Sequence, residues 1–430
     1  MNLILPQKYD IFNSMNKFVI NGGKKLRGVI EVKGAKNDAL VIFAASLLTS
    51  QPVIVSNIPD IEDTKRLLEL MKKLGCKVNR LGHGEYRIKA DSLIYNLINP
   101  DIAKKIRASI LLTAPLLSRL GKVKFPHPGG CVIGERPIDQ FLEGYKNMGA
   151  KVNIKGDLYE ITASRLKGAE FVFNNITVTG TESLIMAAVL AKGRTVLKNC
   201  ACEPEVKSLA DFLNDCGAKI TGAGTPFIVI DGVEKLKGGT HRTIPDRVEA
   251  GSFIVMAAAT QSRLVVKNCE PKHLDALLGI IKKAGVSFKK RKNSIEVKPA
   301  NLNSINIKTH EYPGFPTDLQ APFCVLLTQS KGSGLVHETI YEGRLMWTEE
   351  LKRMGANIHT YDPHRIEIKG PTKLRGREIE SPDIRAGMAY LIAALCAKGR
   401  SVINNVYQID RGYEKIEERL RKIGADIKRI

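Results

Sequence analysis

Apolar and polar positions along this chain repeat a single motif six times: an amphipathic helix, a glycine-containing stop, then a short strand. The stops read L-G-C-K-V at 74–78, M-G-A-K-V at 148–152 and C-G-A-K-I at 216–220. The second half of the chain continues with A-G-V-S-F at 284–288, M-G-A-N-I at 354–358 and I-G-A-D-I at 423–427. Glycines 75, 149, 217, 285, 355 and 424 therefore recur roughly every seventy residues. Glycine at such a stop predicts a left-handed helix C-cap, and the β-branched residue that usually follows predicts a strand. The helix before Gly75 is predicted from Ile61, with Ile61, Leu67, Leu68, Met71 and Leu74 on one face. Asp60, just after Pro59, is its expected N-cap.

Each unit also holds an earlier, more apolar helix that runs into a short strand. Examples are AASLLTSQPVIVSN at 44–57, AAVLAKGRTVLKN at 187–199 and AALCAKGRSVINN at 393–405. Apolar helices belong inside and amphipathic ones outside, so each repeat is a strand-and-two-helix unit. Six units divide into two domains of three. An elongated solenoid also fits the period, but a pair of compact domains suits an enzyme with a cleft better.

At 430 residues the chain is too long for one ordinary core, which again argues for two domains. The longest nearly apolar stretch, Ala386 to Ala397, is too short to span a bilayer. The opening MNLILPQKYD has no basic leader or long apolar run, and Met15 offers an alternative start; a cytoplasmic protein is expected. Eight cysteines are scattered without a C-x-x-C pair, so most are expected to be reduced and to act as small hydrophobes. The net charge of +22 invites a nucleic-acid partner. Against it, the longest basic run is Lys289-Lys290-Arg291-Lys292, and aromatics make up only 6% of the chain, few to interleave with a basic stripe.

The repeat supplies a register for the remaining cations. Arg136, Arg344 and Arg411 fall near the starts of the outer helices in repeats two, five and six. Lys36, Arg107, Asp246, Asp318 and Arg385 fall at the starts of buried helices. Helix N-termini already present free N–H groups and positive potential, so six basic residues at equivalent places point to a converging anion site. Each arginine taken singly also fits a solvated face. Cys131 lies in the Gly/Pro-rich HPGGCVIGERPID at 127–139. There a movable loop with a tuned thiolate and a plain turn carrying a cysteine both fit. Asp318, in F-P-T-D-L-Q, fits both a proton acceptor and a helix N-cap.

The segments GAKNDAL (34–40), RASI (107–110), PGGCVIGERPID (128–139), PDRVEAGSF (245–253), FPTDLQA (315–321) and IDRGYEKIEERL (409–420) resemble the UDP-N-acetylglucosamine 1-carboxyvinyltransferases, from about Met15 to Ile430. The resemblance implies an α/β fold: a two-domain inside-out α/β barrel of six βαβαββ-type units, three per domain. Residues 36–244 would form one domain, and 1–35 with 245–430 the other, joined by a double-stranded hinge over a cleft. It implies transfer of the enolpyruvyl group of phosphoenolpyruvate to the 3-hydroxyl of UDP-N-acetylglucosamine, with phosphate released through a tetrahedral intermediate. These two small molecules are the expected partners; no cofactor, metal, nucleic acid, membrane or obligate protein partner is expected.

By the same resemblance, Cys131 is the acid on a mobile loop and the thiol that fosfomycin alkylates, and Asp318 is the base for the sugar hydroxyl. Lys36, Arg136 and Arg411 form the phosphoenolpyruvate cage, with Arg344 and Arg385 nearby, and Asn37 touches both substrates. Arg107, Arg136, Pro137, Ile138, Asp139, Gln140, Thr177, Val178, Thr179 and Gly180 hold the UDP-sugar, with Ile340 beside the sugar. Asp246 and Arg247 are hinge and cleft residues. Leu111, Gln140 and Ile176 depart from residues found in some relatives, which bears on uridine affinity. The sister shikimate-pathway transferase fits less well, because its glycine-lysine turn continues with serines where this chain has Ala35-Lys36-Asn37-Asp38. A silent paralogue is opposed by the full set of Lys36, Cys131, Arg136, Asp318, Arg344 and Arg411.

Overall fold

The computed structural model describes residues 16–95, 97–129, 133–134 and 136–430. Cys131 and both candidate starts lie outside them.

All six repeat glycines adopt left-handed backbone, with φ of 91°, 90°, 100°, 86°, 105° and 98° in chain order. Each closes its helix in the same way. Gly75 N–H donates to the Lys72 carbonyl and Cys76 N–H to that of Met71, both at 3.0 Å. Three hundred and more residues later Gly424 and Ala425 repeat the pattern onto Arg421 and Leu420, also at 3.0 Å. The paired bonds satisfy carbonyls that the helix end leaves open, which only a residue without a Cβ allows at low cost.

The helices so terminated are the outer set: Glu62–Lys73, Asp139–Asn147, Pro204–Asp215, Asp275–Lys283, Thr348–Arg353 and Ile416–Lys422. In the first of these, Leu67, Leu68, Leu70 and Met71 are buried and the basic residues face out, as the pattern predicts. Its N-cap is Ile61 rather than Asp60. The Thr64 hydroxyl accepts from Ile61 N–H at 3.4 Å and donates to the Pro59 carbonyl at 2.9 Å, so the helix end is satisfied from within its first turn. Asp60 pairs with Lys65 at 3.3 Å instead.

The inner set is Lys36–Ala45, Thr113–Leu120, Val178–Ala188, Arg247–Ala259, Gln320–Thr328 and Ile384–Cys396. Every residue from Asp38 to Ala45 and from Ile384 to Leu395 is buried, which a helix apolar on all sides requires.

Among the described residues, six small sheets complete the repeats, five of four strands and one of three. Glu170–Val172 runs parallel to Arg194–Lys198, which pairs antiparallel with Phe227–Asp231, itself paired with Lys219–Thr221. A parallel pair around an inner helix, then an outer helix and a hairpin, is the βαβαββ order.

Three sheets borrow a strand from far along the chain. Phe18–Asn21 inserts between Arg400–Asn404 and Asp426–Arg429. Arg27–Glu31 pairs with Arg263–Lys267, and Gly239–Arg242 pairs with Val53–Ser56. The chain accordingly divides into two compact units. One takes the chain up to Glu31, Ala250–Thr309 and Thr317–Ile430; the other takes Val32–Glu249 and His310–Pro316. In the latter, Ala35 N–H donates to the Ile244 carbonyl and Asp246 N–H to that of Lys33, so the outgoing and returning segments lie side by side. None of the described helices is long and apolar enough to cross a membrane.

Candidate functional site

Among the described residues, the only buried arginines or lysines are Arg344, Arg385 and Arg411, at 4%, 6% and 7% exposure. All three belong to the unit that carries Asp318. Burying a guanidinium is costly unless a partner compensates it, so three in one unit need an explanation in charge.

Asp318 supplies part of it. It lies in the tight turn Thr317–Leu319 ahead of the inner helix Gln320–Thr328. Its Oδ1 accepts from Arg344 Nη2 at 2.8 Å, while Oδ2 accepts from Arg385 Nε at 2.9 Å and pairs with Arg385 Nη2 at 2.8 Å. The carboxylate thus serves two guanidiniums, and the N-cap position of the helix is Leu319. Burial by itself would lower the Arg344 pKa, but Asp318, then Asp383 and Glu338, outweigh it and raise the pKa above its ordinary value.

Two further acids set this arrangement, and the sequence reading missed both. Asp383 Oδ1 accepts from the N–H groups of Arg385 and Ala386 at 2.7 and 3.0 Å, so it caps the helix whose first turn presents Arg385. Glu338, fully buried, accepts from Thr309 Oγ1 at 3.0 Å and Thr317 Oγ1 at 2.8 Å, and from the N–H groups of Ile340 and Tyr341 at 2.8 and 3.3 Å. It fixes the turn before Asp318 and the loop through Ile340 at once. Proline-Asp ahead of a basic residue, in P-D-R at 245–247 and P-D-I-R at 382–385, was the legible signal for such caps.

Arg411 donates to Gln408 Oε1 at 3.0 Å. Its neighbour Asp410 takes two bonds from Arg429, at 2.8 and 2.7 Å. Arg344 and Arg411 precede the outer helices that start at Thr348 and Ile416 rather than lying inside them.

In the other unit, Lys36 opens the first inner helix. Its N–H donates to Asp246 Oδ2 at 3.2 Å and its Nζ pairs with Asp63 Oδ2 at 3.4 Å. Asp246 also caps Arg247–Ala259 through the N–H groups of Val248 and Glu249, at 2.8 and 2.9 Å. Arg247 pairs with the buried Glu205 at 3.3 Å. Asn37 follows Lys36 in the first turn of the inner helix, half-buried.

A second group forms around Arg107, which opens the turn leading into Thr113–Leu120 and donates through Nη2 to the Arg136 carbonyl. Pro137 and Asp139 are exposed, and Ile138 is buried. Gln140 Oε1 accepts from Asn175 N–H at 3.2 Å, tying the start of the outer helix to the segment that leads into Thr177–Gly180. Thr177 Oγ1 accepts from Gly180 N–H at 3.2 Å, making Thr177 the N-cap of an inner helix. Its side chain serves the helix, and Val178 and Thr179 follow in the first turn.

The same helix carries Glu182, one of a group of buried carboxylates that no sequence motif announces. Glu182 is 3% exposed, and its Oε1 has no hydrogen-bond partner among the described residues. Burial, then the charges of Glu205, Glu203 and Asp38, hold its carboxyl well above the usual carboxylate range. Asp38 accepts from Ile244 N–H at 3.0 Å and its Oδ2 lies 2.9 Å from His241 Nε2.

The seven cysteines among the described residues are free thiols. Burial pushes Cys76, Cys200 and Cys396 up to about 12 and Cys216 and Cys269 up to about 11, as expected of small hydrophobes.

The chain is similar to known proteins in sequence and fold. The sequence profile of the EPSP synthase (3-phosphoshikimate 1-carboxyvinyltransferase) family matches residues 20–420. The UDP-N-acetylglucosamine 1-carboxyvinyltransferase of Koribacter versatilis is 47% identical over 421 residues, 97% of each chain. That of Acidobacterium capsulatum is 47% identical over 423 residues, 97% of this chain and 96% of the relative. Among solved structures, the enolpyruvyl transferase NikO from Streptomyces tendae has the same fold, with a TM-score of 0.88 at 23% identity over 97% of this chain and 99% of that one. EPSP synthase from Acinetobacter baumannii matches with a TM-score of 0.73 at 19% identity, over 96% of this chain and all of the other.

Proposed function

Because the chain belongs to the UDP-N-acetylglucosamine 1-carboxyvinyltransferase family, we propose that it moves the enolpyruvyl group of phosphoenolpyruvate onto the 3-hydroxyl of UDP-N-acetylglucosamine, the first committed step of peptidoglycan synthesis. The observation that carries this reading is the burial of Arg344, Arg385 and Arg411 in the unit that holds Asp318. Guanidiniums withheld from water suit a donor that bears both a phosphate and a carboxylate.

The reaction requires C3 of phosphoenolpyruvate to gain a proton while C2 bonds to the sugar O3, whose own proton passes to a base. The tetrahedral adduct then loses a proton from C3 and breaks its C2–O bond to phosphate. Cys131 supplies the first proton, a role that rests on the family resemblance of its loop. Asp318 takes the hydroxyl proton. Its two arginines are the natural seats for substrate anions, so the arriving phosphoenolpyruvate competes with Asp318 for them and leaves the carboxylate available as a base. Lys36, Asn37, Arg136 and Arg411 complete the donor site. Arg107, Arg136 to Gln140, Thr177 to Gly180 and Ile340 receive the UDP-sugar. The charged metabolites it consumes put the enzyme in the cytoplasm.

Phosphate release from phosphoenolpyruvate, with and without UDP-N-acetylglucosamine, tests the reading. Release that requires the UDP-sugar supports it. Release with shikimate 3-phosphate in its place moves the chain to the sister activity, and no release with either acceptor overturns enolpyruvyl transfer.

A further inference from the structure

The third side of the Arg385 guanidinium meets a tyrosine. Nε and Nη2 go to Asp318, and Nη1 donates to the hydroxyl of Tyr413 at 3.3 Å. The guanidinium carbon also lies 5.9 Å from the centre of the Tyr413 ring, within reach of a cation–π attraction. Tyr413 is 1% exposed, and its hydroxyl lies 3.3 Å from Ser252 Oγ on the inner helix Arg247–Ala259. The buried tyrosine hydroxyl is thus held from two sides, by a serine and by an arginine.

The position of this residue in the chain adds the second half of the argument. Tyr413 stands two residues after Arg411, in the short stretch between Tyr407–Asp410 and Ile416–Lys422. Lys415, which caps the second helix, is left-handed at φ 42°, so the stretch is tightly turned. The ring is therefore fixed to the backbone that presents Arg411 while its hydroxyl holds the head group of Arg385. These are two of the three buried arginines, and they come from different elements.

We propose that Tyr413 is a positioning residue of the donor site, registering Arg385 against Arg411 so that both meet the same anion. The role rests on the functional reading above. It matters most when substrate displaces Asp318 from Arg385: the tyrosine contact persists through the exchange and keeps the guanidinium from swinging with the departing carboxylate. Pre-orientation of this kind acts on one substrate only, the one whose charges the arginines meet.

The test is Tyr413→Phe, which keeps the ring and removes the hydroxyl. Wild type is assayed first; if it shows no UDP-sugar-dependent phosphate release, the functional reading falls and this role falls with it. In an active wild type, the variant is expected to raise KM for phosphoenolpyruvate on the order of tenfold, the scale of one hydrogen bond to a charged group. KM for UDP-N-acetylglucosamine should stay within about twofold and the melting temperature close to wild type. In an Arg385→Lys background the same change should have much less effect, because the guanidinium that the hydroxyl positions is gone. An unchanged KM for phosphoenolpyruvate overturns the proposal. So does a joint loss of affinity for both substrates with a fall in melting temperature, which makes Tyr413 a core residue only.

Discussion

Asp318 grips Arg385 with one carboxylate oxygen and both near nitrogens of the guanidinium, Nε at 2.9 Å and Nη2 at 2.8 Å, across 67 residues of sequence. Its other oxygen holds Arg344 at 2.8 Å. The site thus carries an internal anion where a substrate anion is expected.

Replacing that anion should expose the exchange. Asp318→Asn leaves two buried guanidiniums without their shared counter-charge, a loss on the order of 3–5 kcal/mol for a fully buried pair and less here, because Asp318 is 29% exposed. Activity should fall by about 10²-fold or more, the usual contribution of a positioned base. Inorganic phosphate should then raise the melting temperature of the variant more than that of wild type, since it takes the place of the missing carboxylate. Equal shifts in the two proteins speak against the exchange.

Glu182 makes a pH prediction. Its folded-state carboxyl titrates above the ordinary value of 4.5, and those of Glu203 and Glu205 are raised as well, in each case by burial first. Between the unfolded and folded pKa values the native state binds more protons than the unfolded chain, so stability falls as pH rises through that window. Melting temperature should decline as pH rises above the ordinary glutamate range, and Glu182→Gln should flatten the decline and be the more stable protein on the alkaline side. A variant with the wild-type slope refutes the assignment of the slope to Glu182.

The repeat glycines divide by what surrounds them. A Cβ on Gly217 meets nothing within 4 Å, so Gly217→Ala costs only left-handed backbone strain, about 1 kcal/mol. A Cβ on Gly75 falls 2.3 Å from the Ser92 carbonyl oxygen, so Gly75→Ala must also shift backbone and should cost at least about twice as much. Urea denaturation of the two variants checks the order; equal losses imply that the backbone near Ser92 yields freely.

Fosfomycin should add once to the intact protein and not at all to Cys131→Ser. The other seven cysteines are free, and all have pKa values raised with burial as the leading cause, so little reactive thiolate is present at neutral pH. Intact-mass measurement after exposure counts the adducts; labelling that survives Cys131→Ser contradicts the assignment.

What could be read from sequence was local. A left-handed stop has a one-residue signature, glycine, and the apolar face of Glu62–Lys73 has a helical period, so both were visible. The register built on them brought Arg344, Arg385 and Arg411 forward, and these are the arginines that fold inward. Pairing across long separations was not visible. Nothing near Val53–Ser56 announces that its parallel partner is Gly239–Arg242, or that Asp38 meets His241. Asn57, Asn199 and Asn405 show the same limit. They recur at the ends of the apolar strands, yet only the structure shows them left-handed, at 59°, 57° and 53°, donating their side-chain amides to the carbonyls of Thr243, Phe173 and Ser381. Each partner stands one residue past a strand that the local pattern could not pair.

The most direct test of the central claim is an NMR spectrum of the product made from phosphoenolpyruvate and UDP-N-acetylglucosamine in deuterated water. Addition followed by elimination passes through a methyl group at C3, so the account predicts an enolpyruvyl ether on the sugar O3 with deuterium in its vinyl methylene. A spectrum without that ether, or an ether whose methylene carries no deuterium, contradicts it.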